Sequence, residues 1–163
     1  MVDKQPWWRG PRGEWYVVVQ FLLFALLVFG PKTVAGFGRW GSIWASVSLV
    51  AGLLLGLVGG LFILLGLVYL GRNLTAVPHP KENATFVNSG VYVMVRHPIY
   101  CGIILAAFGY ALVWASLLTL LYALILFVFF DIKTRREEKY LRLKFPAYAA
   151  YQQRVAKLIP FAY

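Results

Sequence analysis

Between Pro98 and Phe130 the chain carries no charged residue, and this apolar run is the strongest constraint on its fold. The run is longer than the ~20 residues that one transmembrane helix needs. Near its middle, Trp114-Ala115-Ser116 offers a break. We therefore predict a tight helical hairpin with arms at about 99–115 and 117–130, each barely long enough to cross a bilayer. One unbroken helix is the alternative.

Two further apolar segments precede the hairpin, at about 15–29 and 43–70. Hydrophobic residues make up 61% of the sequence and its mean hydropathy is +0.70, well above the values of soluble proteins. The sequence is therefore predicted to be an all-α integral membrane protein. It forms a single membrane domain over residues 1–163, with about four transmembrane helices.

Most of the lysines and arginines behind the net charge of +10 lie beside the apolar segments, within 4–12, 72–96 and 133–157. Such clusters are typical of cytoplasmic loops and of contact with anionic membrane lipids, and they do not favour nucleic acid as a partner. An even number of crossings places all three clusters on one side. We predict a multi-pass protein of the cell inner membrane with both termini in the cytoplasm.

Small residues recur at every fourth position in the second segment, at Ser48, Gly52, Gly56 and Gly60. Small residues at this spacing let two helices approach closely in a membrane. The stripe predicts a helix contact within this chain or a homo-oligomer contact with a second copy.

The last charged region, from Asp131 onward, carries Leu141, Phe145, Tyr148 and Val155 at near-helical spacing. Pro146 fits the first turn of a second short helix. We predict an amphipathic, cytoplasmic, helical tail that lies along the membrane surface.

Few residues in the sequence are suited to chemistry. The single cysteine, Cys101, excludes an intrachain disulfide, and no His/Cys cluster has metal-ligand spacing, so no metal is predicted. Arg96-His97 with Tyr92 and Tyr100 forms one polar group, and Arg135-Arg136-Glu137-Glu138 forms another. If the hairpin folds back, the two groups meet and suit a zwitterionic ligand, because arginine and histidine bind a carboxylate and glutamate binds an ammonium. A purely structural layer of salt bridges is equally compatible with these residues.

Two motifs in fixed order resemble one family. The first is Arg96-His97-Pro98-Ile99-Tyr100 with Gly102, preceded by Gly90-Val91-Tyr92. The second is Glu137-Glu138 followed by Phe145, Tyr148, Tyr151, Arg154-Val155 and Pro160-Phe161. Together they resemble the isoprenylcysteine carboxyl methyltransferases, and the related phospholipid methyltransferases share the arrangement. The resemblance covers about residues 65–163, and two spans before this region are typical of prokaryotic members.

The resemblance implies a small helical bundle with an S-adenosyl-L-methionine pocket at its cytosolic surface, built from residues 72–163. By position, Arg96, His97 and Tyr100 would contact the cofactor, with Tyr92 and Val93 at its rim. Glu137 and Glu138 would bind the cofactor or orient the acceptor. Arg136 is a candidate for holding an anionic acceptor, and Tyr148 and Tyr151 would close the pocket.

The resulting hypothesis is methyl transfer to a hydrophobic or lipid-like acceptor, a carboxylate, amine or thiol, with Arg136, Glu137 and Glu138 as the catalytic set. An NADPH-dependent membrane reductase is an alternative, because integral-membrane sterol reductases carry a similar RHP-x-Y-x-G string. A non-enzymatic helical membrane protein is the other alternative.

Overall fold

The computed structural model describes residues 13–34 and 39–160, apart from the side chains of residues 42 and 43, and this part of the chain is helical without a β-strand. The predicted basic anchor at 4–12 lies outside it. The α-helices are α1 (Glu14–Phe29), α2 (Ser42–Leu70), α3 (Pro98–Val113), α4 (Leu117–Lys144) and α5 (Tyr148–Arg154). Single-turn 3₁₀ helices at Gly71–Asn73 and Gly90–Val93 flank the long connector between α2 and α3.

The predicted hairpin is confirmed, with its turn at the predicted break between α3 and α4. Proline at the first position of α3 suits a helix start, because its missing N–H would have no partner there. In the turn, Ala115 has a φ of 50°, and the Ser116 side chain accepts a hydrogen bond of 3.1 Å from the Thr119 amide. This serine cap starts α4.

The fourth helix is longer than predicted. It runs without a break through the charged residues beyond Phe130 and ends at Lys144, because no glycine or proline interrupts the sequence before Pro146. The charged segment is therefore the end of α4 and not the beginning of a separate tail. The short α5 then returns toward the bundle and buries Tyr148 and Tyr151, so its tyrosines face protein.

Two helices, α2 and α4, are long and apolar enough to cross a membrane. Helices α1 and α3 have 16 residues each, which at 1.5 Å per residue gives about 24 Å, less than the ~30 Å of a hydrocarbon core. Two crossings are thus supported by length, and crossings by α1 and α3 remain a prediction.

Helix α2 packs along α3 through glycines that recur every seven residues. A methyl group placed on Gly52 or Gly59 would lie 2.6 Å from the carbonyl oxygen of Gly109 or Gly102, respectively. Gly66 packs in the same way against Ile99. Of the predicted stripe, Gly52 faces α3, whereas methyl groups on Gly56 and Gly60 would meet nothing within 4 Å, so their contact with a second copy stays a prediction. Spacing of seven keeps residues on one straight face, whereas spacing of four drifts around the helix.

Helix α1 packs against α4 on the other side of the hairpin. Leu27 joins a buried apolar cluster with Ile104, Leu126 and Phe130. The connector joins the end of α2 to the start of α3, and Pro78 of the connector packs against Gly13, just before α1. The starts of α1 and α3 therefore lie at the same end of the bundle as the ends of α2 and α4. All residues discussed in the next subsection lie at this end.

Candidate functional site

The two polar groups that the sequence singled out meet at this end of the bundle. Arg96 Nε donates to Glu138 Oε1 over 2.7 Å, and His97 Nε2 lies 3.2 Å from the same oxygen. Tyr100 donates its hydroxyl to Glu137 Oε2 over 3.0 Å. The contacts therefore join the start of α3 to the far part of α4, as the folded hairpin requires.

The chain after α5 holds this arrangement from outside. The amides of Arg96 and His97 donate to the carbonyls of Ala156 (2.8 Å) and Lys157 (3.3 Å). The Arg96 guanidinium also donates to the carbonyls of Gln152 (2.9 Å) and Val155. Arg96 is thus a bridge between α3, α4 and the C-terminal segment, and most of its donors have protein partners.

Glu138 is the centre of the network. Besides Arg96 and His97, it is bonded by the hydroxyl of Tyr148 at 3.3 Å and by the side-chain amide of Gln152 at 2.8 Å. Only 4% of the residue is exposed. A buried carboxylate is tolerated when it is paired and hydrogen-bonded in this way. Glu138 therefore positions the elements around the site, and its oxygens are occupied by the protein.

Next to this network lies a cavity of about 450 Å³, a size typical of small-molecule sites. Its walls are mainly apolar and aromatic, and they come from α1, the end of α2, the α2–α3 connector, the start of α3, one face of α4, and α5. The polar and aromatic residues of the lining include Gln20, Phe86, Tyr92, Arg96, His97, Tyr100, Lys133, Glu137, Tyr148 and Tyr151.

Of the predicted site residues, Tyr92, Arg96, His97, Tyr100 and Glu137 line the cavity, and so do Tyr148 and Tyr151. The other three lie outside the lining. Val93 is 62% exposed, and Glu138 lies behind Arg96 and His97. Arg136 points toward α1, with its guanidinium 5.5 Å from the centre of the Tyr16 ring.

Lys133 and Gln20 are polar residues of the lining that the sequence analysis missed. Lys133 donates to Gln20 Oε1 over 2.6 Å and to the carbonyl of Ala76 over 3.1 Å, and its ammonium lies 5.0 Å from the centre of the Tyr100 ring. Lys133 precedes Glu137 by four residues, so the two share one helix face. This spacing could have identified Lys133 once Glu137 was assigned to the cavity.

The connector forms the outer wall of the cavity. Asn73 closes its loop, donating to Thr85 Oγ1 over 3.1 Å and accepting from the Thr85 amide over 3.0 Å. The adjacent Phe86 stacks on Phe145 with ring centres 5.6 Å apart, and Tyr148 and Tyr151 also contact its ring. Phe86 thus joins the connector to Phe145, Tyr148 and Tyr151 in one aromatic cluster that lines the cavity.

The phenols at this wall remain neutral at ordinary pH. Burial raises the pKa of Tyr92 above its usual value, and the charge of Glu137 raises it further. Burial also raises the pKa of Tyr148 and of Tyr151, although Arg96 acts in the opposite direction on both. The three phenols therefore serve as hydrogen-bond donors; for example, the Tyr151 hydroxyl donates to the carbonyl of Tyr92 over 2.6 Å.

Within residues 13–34 and 39–160, no group of three His, Cys, Asp or Glu side chains could hold a metal ion. The chemical resources of the cavity are thus apolar and aromatic walls, neutral phenols, the His97 ring, the Glu137 carboxylate and the cations Arg96 and Lys133.

Relatives of the chain fall into two groups. It is 31% identical over 149 residues to the cobalt-zinc-cadmium resistance protein CzcN of Cupriavidus metallidurans, covering 91% of this chain and 62% of that protein. It is 28% identical over 153 residues to the nickel-cobalt-cadmium resistance protein NccN of Alcaligenes xylosoxydans xylosoxydans, covering 91% and 63%. It is also 33% identical over 98 residues to the protein-S-isoprenylcysteine O-methyltransferase of Schizosaccharomyces pombe, covering 58% and 42%.

The chain thus spans about three fifths of the length of the first two relatives. The model of the phospholipid methyltransferase family matches residues 47–147, a range that contains α3, the connector and the site face of α4. The Arg96–Tyr100 motif and Glu137-Glu138 lie within this match, whereas Tyr148, Tyr151 and the rest of the second motif lie beyond it. The predicted resemblance to isoprenylcysteine methyltransferases is confirmed by the relatives that carry that name. Because this family model matches more than half of the sequence, the chain belongs to the phospholipid methyltransferase family.

Proposed function

We propose that the protein transfers a methyl group from S-adenosyl-L-methionine to a hydrophobic or lipid-like acceptor at the cytoplasmic face of the cell inner membrane. The observation that carries this proposal is the cavity in which Arg96, His97 and Tyr100 from one motif face Glu137 from the other. The proposal rests on family membership for the reaction type and on the cavity for the residues.

The cavity fits a cofactor that has an aromatic base at one end and charged amino-acid groups at the other. Aromatic walls at Phe86, Tyr148 and Tyr151 suit a flat base. The carboxylate of Glu137 suits an ammonium or a ribose hydroxyl, and Arg96 and His97 supply donors. When bound, S-adenosyl-L-methionine would supply an electrophilic sulfonium methyl group.

The protein's part in the reaction is alignment of the acceptor and exclusion of water. Tyr100 holds the Glu137 carboxylate in place with its hydroxyl. A carboxylate acceptor is already ionised and needs no base, whereas for an amine acceptor Glu137 would accept the proton. Glu138 positions Arg96 and His97, because its oxygens are bonded to both. Arg136, which faces Tyr16, would act on an acceptor only outside the cavity.

Charge at the two ends of the bundle supports the proposed orientation. At the end opposite the cavity, the described lysines and arginines are Lys32 and Arg39, which lie over the Trp114 ring. The cavity end carries the lysines and arginines of the connector, of the far part of α4 and of the C-terminal segment. The positive-inside rule then makes the cavity end cytoplasmic, with four crossings and both termini on that side.

The test is calorimetric titration of the detergent-purified protein with S-adenosylhomocysteine and, separately, with NADPH. We expect S-adenosylhomocysteine to bind, and binding to weaken about tenfold or more in His97→Ala and to a smaller extent in Tyr100→Phe. Arg142→Gln, an exposed change on α4, serves as the control and is expected to bind normally.

A folded wild-type sample that binds neither ligand would contradict the proposal and leave the network as a structural device. Binding of NADPH alone would favour a reductase. If S-adenosylhomocysteine binds, incorporation of a labelled methyl group into a membrane lipid extract measures the transfer itself.

A further inference from the structure

Lys133 is a buried cation on the wall of the cavity. It is 1% exposed and lies on α4, one helical turn from Glu137 toward the α3–α4 turn. Its ammonium faces the ring of Tyr100, which also lines the cavity. Lys133 is therefore placed to touch a ligand in the cavity, and the roles assigned above do not use it.

The partners of Lys133 differ from those of the other buried cations. Arg96 is paired with Glu138, and Lys157 is paired with Asp131, which also pairs with Arg135 over 2.7 Å. Lys133 donates to two neutral oxygens, those of Gln20 and Ala76. Within the described part of the chain, no carboxylate oxygen lies within 4.0 Å of its Nζ atom.

A buried ammonium is costly unless a negative charge offsets its lost hydration. Neutral oxygens offset only part of this cost, and an ammonium has three N–H donors for the two acceptors that Gln20 and Ala76 supply. The charge of Glu137 acts on Lys133 from one helical turn away but forms no ion pair with it, so a negative charge in direct contact is expected on a bound molecule.

We propose that Lys133, held by Gln20 and the Ala76 carbonyl, is an anion-binding position that receives a carboxylate or phosphate of a ligand in the cavity. The ligand is one of those in the proposed function, so the inference deepens that function. Two sources have the required chemistry: the amino-acid carboxylate of the cofactor and an acidic group on the methyl acceptor. Glu137 and Lys133 then present opposite charges one helical turn apart on the same wall.

A structural role would use the same hydrogen bonds, since they tie α1 and the connector to α4. The variant Gln20→Glu separates the two roles, because it places a carboxylate beside Lys133 and keeps the tie between the helices. If Lys133 only ties the helices together, the new carboxylate at position 20 strengthens the contact without affecting a ligand. If Lys133 binds a ligand anion, the new carboxylate competes with that anion for the ammonium. Lys133→Gln removes the cation, Lys133→Arg retains it, and Lys139→Gln removes an exposed cation from the same helix as a control.

The experiment measures binding of three probes to each detergent-purified variant: S-adenosylhomocysteine, laurate, and dodecanol as the neutral match to laurate. We expect Gln20→Glu and Lys133→Gln to weaken one of the two anionic probes about tenfold or more, with dodecanol unchanged. Lys133→Arg should restore part of the loss, and Lys139→Gln should resemble the wild type. Whichever anion weakens identifies the source of the charge.

Unchanged affinity for both anions in Gln20→Glu overturns the proposal and leaves Lys133 as a structural tie; this variant decides the matter even if Lys133→Gln does not fold. Failure of the anion position is also distinguishable from failure of the proposed function. If the wild type binds laurate in a Lys133-dependent manner but not S-adenosylhomocysteine, the anion position stands and methyl transfer fails.

Discussion

The α2–α3 interface and the polar network around Glu138 hold the same bundle by opposite means. Along α2–α3, backbones touch where glycines leave no side chain between them. Around Glu138, side chains from the start of α3, from α4 and from α5 meet through ion pairs and hydrogen bonds. The glycine contact depends on the lack of side chains, and the Glu138 network depends on the pairing of buried charges.

This difference separates two kinds of sensitivity. A packed glycine contact fails when volume is added, whatever the chemistry of the new group. A buried charge network fails when one charge is removed, because the partner is left unpaired in a low-dielectric surrounding. The interface therefore tolerates changes of pH and ionisation, and the network responds to both.

The largest expected effect is on the network. Glu138→Gln keeps the shape of the side chain but leaves Arg96 without its carboxylate, and loss of one partner of a buried pair costs about 3–5 kcal/mol. We expect a corresponding loss of unfolding free energy in denaturant titrations, together with loss of S-adenosylhomocysteine binding. Glu82→Gln, an exposed carboxylate of the connector, is the matched control. Equal stability of the two variants would show that the network is not needed for the fold.

An intermediate effect is expected at the glycine interface. Gly59→Ala places a methyl group 2.6 Å from the Gly102 carbonyl oxygen, so the helices must separate, at a cost of about 1–3 kcal/mol. Gly60→Ala is the control on the next residue, where a methyl group meets nothing within 4 Å. Helix propensity alone would stabilise this control slightly. Thermal unfolding in detergent compares the two. A Gly60→Ala loss as large as that of Gly59→Ala would instead indicate that a second copy packs on that stripe.

The smallest effect is expected from alkaline pH. The raised pKa values of Tyr92, Tyr148 and Tyr151 mean that these phenols lose their protons at lower pH when unfolded than when folded. Their contribution to the free energy of unfolding is fully present below the unfolded-state pKa of about 10 and is lost as the pH rises above it. The midpoint temperature of thermal unfolding should therefore decrease as the pH is raised from about 9 to about 11. In Tyr148→Phe the fall should be shallower; an identical fall would assign the alkaline loss to other groups.

The sequence predicted the helices and the meeting of the two motifs, because both follow from local patterns. The turn at Trp114-Ala115-Ser116 and the apolar lengths were enough for the hairpin. A hairpin then brings its two outer ends together, and so brings Arg96 close to Glu138. These predictions needed only periodicity and length.

The roles assigned to Arg136, Glu137 and Glu138 stay predictions, and helix phase separates these three side chains in space. Adjacent residues on a helix point about 100° apart, so Arg136, Glu137 and Glu138 face Tyr16, the cavity and Arg96, respectively. A motif read as a string assigns all three to one site. Lys133, Glu137 and Leu141 share the cavity face at spacings of four. The role of Gln20 has no local signal, because it depends on how α1 packs against α4.

The contacts from Ala156 and Lys157 to the backbone of Arg96 and His97 have a consequence for biosynthesis. The residues that form α1 to α4 are synthesised before these carbonyls, so the α3–α4 hairpin has its full sequence before the segment that fixes Arg96 and His97 is complete. The site is therefore the last part of the bundle for which all the contacting residues exist.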